Sequence, residues 1–163
     1  MPLKPRSLRV ATTADTSLLV RHRRAMWEEM GIGTSASLAE HDALYRRWIR
    51  PRLRNGSVVA WVVEDRAGRA LASGCLWIQR IHPRPGNPRC LQPYLMSMYT
   101  EPDARCRGHA RRIVRAAIAH ARRLGLPRMA LHASDAGRPV YEREGFKPSG
   151  EMHLRLPTQR PQR

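Results

Sequence analysis

Lysine is almost missing from this sequence: of 30 basic residues only Lys4 and Lys147 are lysine, and the rest are arginine. Acidic residues are scarce too, 13 against those 30, which leaves a formal charge of +17. A charge of that size ordinarily points to nucleic acid, anionic membrane or an acidic protein as partner. The skew toward arginine looks as much like genome-wide codon bias as like a selected binding surface. The arginines are also dispersed over a helix face, turns and both ends, whereas single-strand binders interleave basic residues with aromatics. Cysteine is sparse as well. Cys75, Cys90 and Cys106 are odd in number, widely spaced and without a Cys-x-x-Cys pair, so no disulfide framework and no metal site are expected. Long hydrophobic runs are missing: nothing approaches the roughly 18 to 20 apolar residues of a membrane span, nor a signal-peptide core. The expectation is a cytoplasmic protein with no membrane partner.

What is present suits one core. A chain of 163 residues, 42% of them hydrophobic, fits a single domain over residues 1–157 with a frayed tail at 158–163. Leu8–Ala11 alternates as a short edge strand, and Thr13, Ala14 and Asp15 offer caps for a helix over about Thr16–Met30, ended by Gly31 and Gly33. Leu44, Trp48, Ile49 and Leu53 approximate helical spacing and predict a second helix over about Leu38–Arg52, limited by Pro51. From Ser57 the period changes. Val58–Val63 reads as a buried strand, Asp65–Gly68 as a turn and Ala70–Arg80 as the returning strand of a hairpin. His82–Pro88 holds three prolines and a glycine in seven residues and must be a loop.

Leu91–Thr100 is the next strand, stopped at Glu101, Pro102 and Asp103. Ala110, Ile113, Val114, Ala117, Ile118, Ala121 and Leu124 then form one apolar stripe, with Arg111, Arg112, Arg115, Arg122 and Arg123 off it. This amphipathic helix ends at Gly125 and Pro127, and Arg128–His132 returns as a parallel strand, completing a β-α-β unit. Ser134 and Asp135 offer caps for a short helix that tolerates Pro139 in its first turn; Gly145 ends it before a closing strand from Phe146 that includes about Met152–Leu156. The expected fold class is α/β: a mixed, mostly antiparallel central sheet, a parallel β-α-β unit and helices on both faces.

Chemistry concentrates at Arg105-Cys106-Arg107-Gly108-His109-Ala110, between a strand end and the start of the amphipathic helix. A helix N-terminus presents unpaired N–H groups and a partial positive charge, so a loop there can hold a pyrophosphate. Gly108 lets the backbone approach phosphate oxygens, Ala110 keeps the first turn clear, and Arg105, Arg107 and Arg111 add charge. Cys106 reads as a small turn residue or, in this electropositive setting, a reactive thiol. His109 is expected to face phosphate or solvent.

The order strand, Arg-x-x-Gly-x-Ala, amphipathic helix, strand, Ser-Asp-x-Gly, Tyr-x-x-x-Gly-Phe resembles the GNAT acyltransferase superfamily, closely over about Leu91–Phe146 and upstream in topology only. Arg105, Gly108 and Ala110 fall on the first, fourth and sixth positions of that family's Gln/Arg-x-x-Gly-x-Gly/Ala motif. Cys106 stands where a second glycine is common and His109 where an aliphatic residue is. The resemblance implies acetyl-CoA as co-substrate. Its pyrophosphate would lie on Arg105–Arg111, and its pantetheine arm would pair like a strand with Met98, Tyr99 and Thr100. Ser134 and Gly137 would line the coenzyme, and Tyr141 would protonate the departing thiolate. Some relatives carry a glutamate base in the strand before the motif, but Leu91–Met98 contains no carboxylate. Glu29 is the candidate base, with Glu28 beside it; Met26, Trp27 and Met30 line an acceptor pocket or belong to the core. The acceptor would be a small-molecule or peptide amine, neutral or acidic given the chain's charge, and a homodimer is common in the family. The rival reading is a basic nucleic-acid or ribosome-binding module that keeps the fold without turnover.

Overall fold

The computed structural model describes residues 7–156; the tail expected at 158–163 lies outside them. Five strands pair in chain order: β1 (Ser7–Val10), β2 (Val58–Glu64), β3 (Ala70–Arg80), β4 (Leu91–Thr100) and β5 (Ala130–Leu131). All neighbours are antiparallel except β4 and β5, which are parallel. The helices are α1 (Thr16–Glu29), α2 (Ser35–Asn55), α3 (His109–Arg123) and α4 (Arg138–Arg143). No helix among the described residues is long and apolar enough to cross a membrane.

Alternation along the central strands divides the core. Val58, Ala60 and Val62 of β2 and Cys75 of β3 join Leu19 and Val20 of α1 and Tyr45 and Ile49 of α2 on one face. Trp61 and Val63 with Ala72, Leu76 and Leu95 meet Ile113, Val114 and Ala117 of α3 on the other. The period-2 strands therefore bury both faces, and the helices of the two halves cover them. The fold class is the expected one.

Several local expectations are corrected. The helix α1 is not capped by its own Asp15 side chain: Thr12 and Asp15 bond each other's backbones around a 3₁₀ turn at Thr13–Asp15, and α1 continues from it. The second helix starts earlier, capped by Thr34, and runs through Pro51 to Asn55, where Gly56 takes a left-handed conformation. Proline removes one helical hydrogen bond, and the burial of Ile49 with Leu53 packed beside it carries the helix past that loss. Within α2 it is Tyr45 that is buried, while Leu44 is 53% exposed.

The closing strand does not form. Residues 147–156 carry no strand, and Met152, Leu154 and Leu156 are 94%, 82% and 75% exposed. The chain does run past β5, since the His153 ring lies edge-on to His132 at 6.0 Å. But β5 contributes only two residues to the ladder, too short a template for a further strand. Ser134 accepts from the Gly137 amide at 3.2 Å and so caps a turn, while α4 begins after Gly137.

Candidate active site

The site grows from an irregularity in β4. Met96 pairs with Cys75 and Tyr99 with Ser73, so Ser97 and Met98 together face the single residue Gly74, and Ser97 sits at φ 52°. That is a β-bulge, which bends a strand and re-aims its side chains. A Cβ on Gly74 would lie 2.2 Å from Met98 Sδ and 2.8 Å from Ile113 Cγ2, so the bulge packs against this strand only because residue 74 has no side chain. On the opposite edge β5 pairs only with Tyr94 and Leu95. Beyond Leu95 the two parallel strands diverge, and the edge of residues 96–100 opens into a cleft.

That cleft, about 1770 Å³, exceeds the few hundred to 1,000 Å³ usual for one small ligand and is large enough for two. Met98, Tyr99, Thr100, Arg105, Cys106, Gly108, His109, Ala110, Arg111, Ser134 and Gly137 all line it; of the expected coenzyme residues only Arg107 does not. After β4 the chain makes a 3₁₀ turn at Pro102–Ala104, then passes through two left-handed residues, Cys106 at φ 59° and Gly108 at φ 79°, into the first turn of α3. Left-handed residues at a helix start are the backbone form of anion-binding nests. Gly108 meets nothing within 4 Å where a Cβ would stand, so its role here is conformational, on the open side of the loop.

His109 is corrected: its side chain is turned into the protein, 3% exposed, rather than toward solvent. Arg111 lies along α4, with Nε 2.5 Å from Glu144 Oε1, and Arg115 shares the same carboxylate at 3.0 Å. These two guanidiniums hold the Glu144 carboxyl below its usual range and tie α3 to α4, which carries Tyr141.

Tyr141 is half-buried in the cleft wall, its ring 6.0 Å from Phe146, and burial pushes its phenol up to about 12. Glu29 faces the same cleft from the end of α1. Both its oxygens accept from Arg105 Nη2, at 2.6 and 2.7 Å; Tyr99 donates to it at 3.4 Å, and Arg105 also donates from Nε to the Thr100 carbonyl at 3.0 Å. Glu28 is elsewhere, paired with Arg24 at 2.9 Å. Below this cluster the buried His22 joins α1 to the sheet, with Nδ1 2.9 Å from Ser73 Oγ and Nε2 3.2 Å from Glu101. In the sequence His22 is inconspicuous, because a lone histidine on a helix carries no signal of its partners.

Of the second arm of the cleft, only Met26, Trp27 and Met30 were expected. Tyr45, Trp48, Trp77 and Tyr94 line it together with Arg23, drawn from α1, α2, β3 and β4. They lie in four separate elements, with Tyr45 and Trp48 about one turn apart on α2, and the cross-strand pairing of Trp77 with Tyr94 and the packing of α2 over them bring the rings together. Met26, Trp27 and Met30 face this arm as well.

A helix start entered through left-handed residues, an open strand edge leading from it and a half-buried tyrosine thus share one cleft. The chain belongs to the GNAT acetyltransferase family, whose domain model, Acetyltransferase (GNAT) domain, matches residues 56–148. It is similar to a GCN5-related N-acetyltransferase from Ralstonia eutropha, at 32% identity over 92% of this chain and 97% of that one, with a TM-score of 0.84. A predicted acetyltransferase from Clostridium acetobutylicum, solved with acetyl-CoA, is 28% identical over 93% and 95% of the two chains, with a TM-score of 0.83. An aminoglycoside N-acetyltransferase in complex with CoA shares the fold at 16% identity, with a TM-score of 0.72 over 96% and 98% of the chains. No curated protein matches the chain.

Proposed function

We propose that this protein transfers an acetyl group from acetyl-CoA to a primary amine by direct attack. The observation that carries the reading is the divergence of β4 and β5, which leaves the edge at residues 96–100 open beside the left-handed loop that starts α3. The residues fit the coenzyme. A nest at a helix N-terminus suits a pyrophosphate, an unpaired strand edge suits the amides of a pantetheine arm, and Ser134 and Gly137 border the same channel. When bound, acetyl-CoA supplies an activated thioester carbonyl.

The chain's own groups then divide the work. A backbone amide near Met98, freed from the ladder by the bulge, donates to the carbonyl oxygen as negative charge builds there. Tyr141 holds a proton for the leaving sulfur. Glu29 acts as base on the acceptor ammonium, working when Arg105 turns from it toward the coenzyme phosphates. Glu29→Gln should lower kcat by roughly 10²-fold, the low end of general-base effects. An unchanged kcat would move the base elsewhere. A homodimer belongs to the same reading, with a second copy covering the alternating Met152, Leu154 and Leu156.

The direct test is heat. Acetyl-CoA at about 100 times its Kd should stabilise the native state by roughly 2.7 kcal/mol, raising Tm by about 5 to 11 °C for a chain of this size. Turnover follows from release of the coenzyme thiol with a panel of amines. No shift at saturating coenzyme would sink the proposal, and steeply salt-dependent RNA or DNA binding without turnover would support the rival binding module instead.

A further inference from the structure

Aromatic residues are few in this chain, four Trp, four Tyr and one Phe, yet seven of the nine line one cleft. Tyr99 and Tyr141 belong to the coenzyme side. The other five form the second arm. Trp48 meets Trp77 edge-on at 5.0 Å and stacks with Tyr45 at 5.9 Å, while Tyr94 pairs across the sheet with Trp77. The rings come from two helices and two strands, and they build a wall for a flat apolar body rather than an extended chain.

Charge decides what else the ligand carries. The Arg23 guanidinium lies 4.4 Å from the centroid of Tyr45 and 5.2 Å from that of Trp27, and no carboxylate among the described residues forms an ion pair with it. The one carboxylate lining the cleft, Glu29, is held by Arg105. An aromatic wall can also receive a cation, but here the protein's own guanidinium already covers Tyr45 and Trp27, and a second positive charge would meet Arg23 and Arg47 with no anion to offset it. An anionic group instead finds a half-buried, planar fork of donors, the geometry that binds carboxylates in two parallel hydrogen bonds.

Resting on the acetyltransferase reading, we infer that the acceptor is an aromatic amine that also carries a carboxylate. Its ring packs against Trp48, Trp77 and Tyr94, and its carboxylate is taken by Arg23. The amine is left toward β4 and the open edge. Atoms balance simply: the amine nitrogen gains the acetyl group and loses a proton, the thioester C–S bond breaks, and the sulfur leaves as the coenzyme thiol.

The test compares tryptophan and 4-aminobenzoate, each beside its methyl ester, with spermidine as a polycationic amine. For the native enzyme kcat/KM should favour at least one acid over its ester by about 10-fold or more, the scale of a charge-assisted hydrogen bond, with spermidine worst. Arg23→Gln should raise KM for that acid about 10-fold, abolish the preference over the ester, and leave KM for acetyl-CoA unchanged. Equal use of acid and ester by the native enzyme, a preference for spermidine, or an acid preference that survives Arg23→Gln overturns the inference. The acetyl-CoA thermal shift is measured on the same samples. If the shift is present and neither acid is turned over, the acceptor assignment alone falls; if the shift is missing, the acetyltransferase reading falls with it.

Discussion

Replacing Tyr141 with phenylalanine is expected to lower kcat by about 10²- to 10⁴-fold while the acetyl-CoA thermal shift survives. The substitution keeps the ring, so its contact with Phe146 and its packing beside Gly137 persist, and only the hydroxyl is lost. Burial pushes the Tyr141 phenol up to about 12, so it stays protonated, as an acid must, through the whole working range. An ordinary thiol has a pKa of about 8.5, well below that value, so a full proton transfer to free thiolate is uphill. Tyr141 is therefore assigned a hydrogen bond to sulfur that strengthens as charge develops, with the proton following as the bond breaks. The sign is fixed by this assignment. Activity owed to Tyr141 should be flat with pH until about pH 11 and fall as pH rises through about 12, and the Phe variant should lack that limb. A tyrosine that merely fills space predicts the opposite pairing, a lowered Tm with kcat intact, and that result would remove Tyr141 from the chemistry.

The parts of this site that were legible in the sequence are the ones encoded by contiguous spacing. The stripe from Ala110 to Leu124 specified α3, and the turn residues before it specified where its N-terminus would open, whereas Met98, Tyr99, Thr100, Ser134 and Gly137, which line the same cleft, were expected from the family resemblance. The bulge was not legible. Ser97 gives no hint of a left-handed conformation, and Gly74 gains its meaning only from Met98 and Ile113, which reach it across the sheet and from α3. The closing strand failed for a related reason: Met152, Leu154 and Leu156 alternate as a strand should, but local pattern cannot supply a neighbour, and β5 offers too little ladder. Arg23 and most of its aromatic wall stayed hidden because five rings spread over two helices and two strands share no common period. The arginine-rich composition diluted Arg23 further, since one functional guanidinium among so many looks like the rest.

Gly108→Trp is expected to abolish the acetyl-CoA thermal shift and, with it, turnover. At φ 79° a residue with a Cβ costs about 1 to 2 kcal/mol, and the indole would stand on the side of the loop where nothing lies within 4 Å, the space assigned to phosphate oxygens. The two effects separate by measurement. Conformational cost alone should lower the apo Tm by roughly 2 to 8 °C for a chain of this length, whereas filling the phosphate space removes the ligand-induced rise altogether. Gly108→Ala divides them further. It carries the same backbone penalty with little bulk, so it should lose stability while keeping a reduced but measurable coenzyme shift. Cys106 shows that the loop tolerates such a residue, since it already holds a side chain at φ 59° two positions earlier. A Trp variant that still gains stability from acetyl-CoA would mean that the phosphates lie elsewhere than on the turn before α3, and the expected contacts from Arg105 to Arg111 would fall with that result.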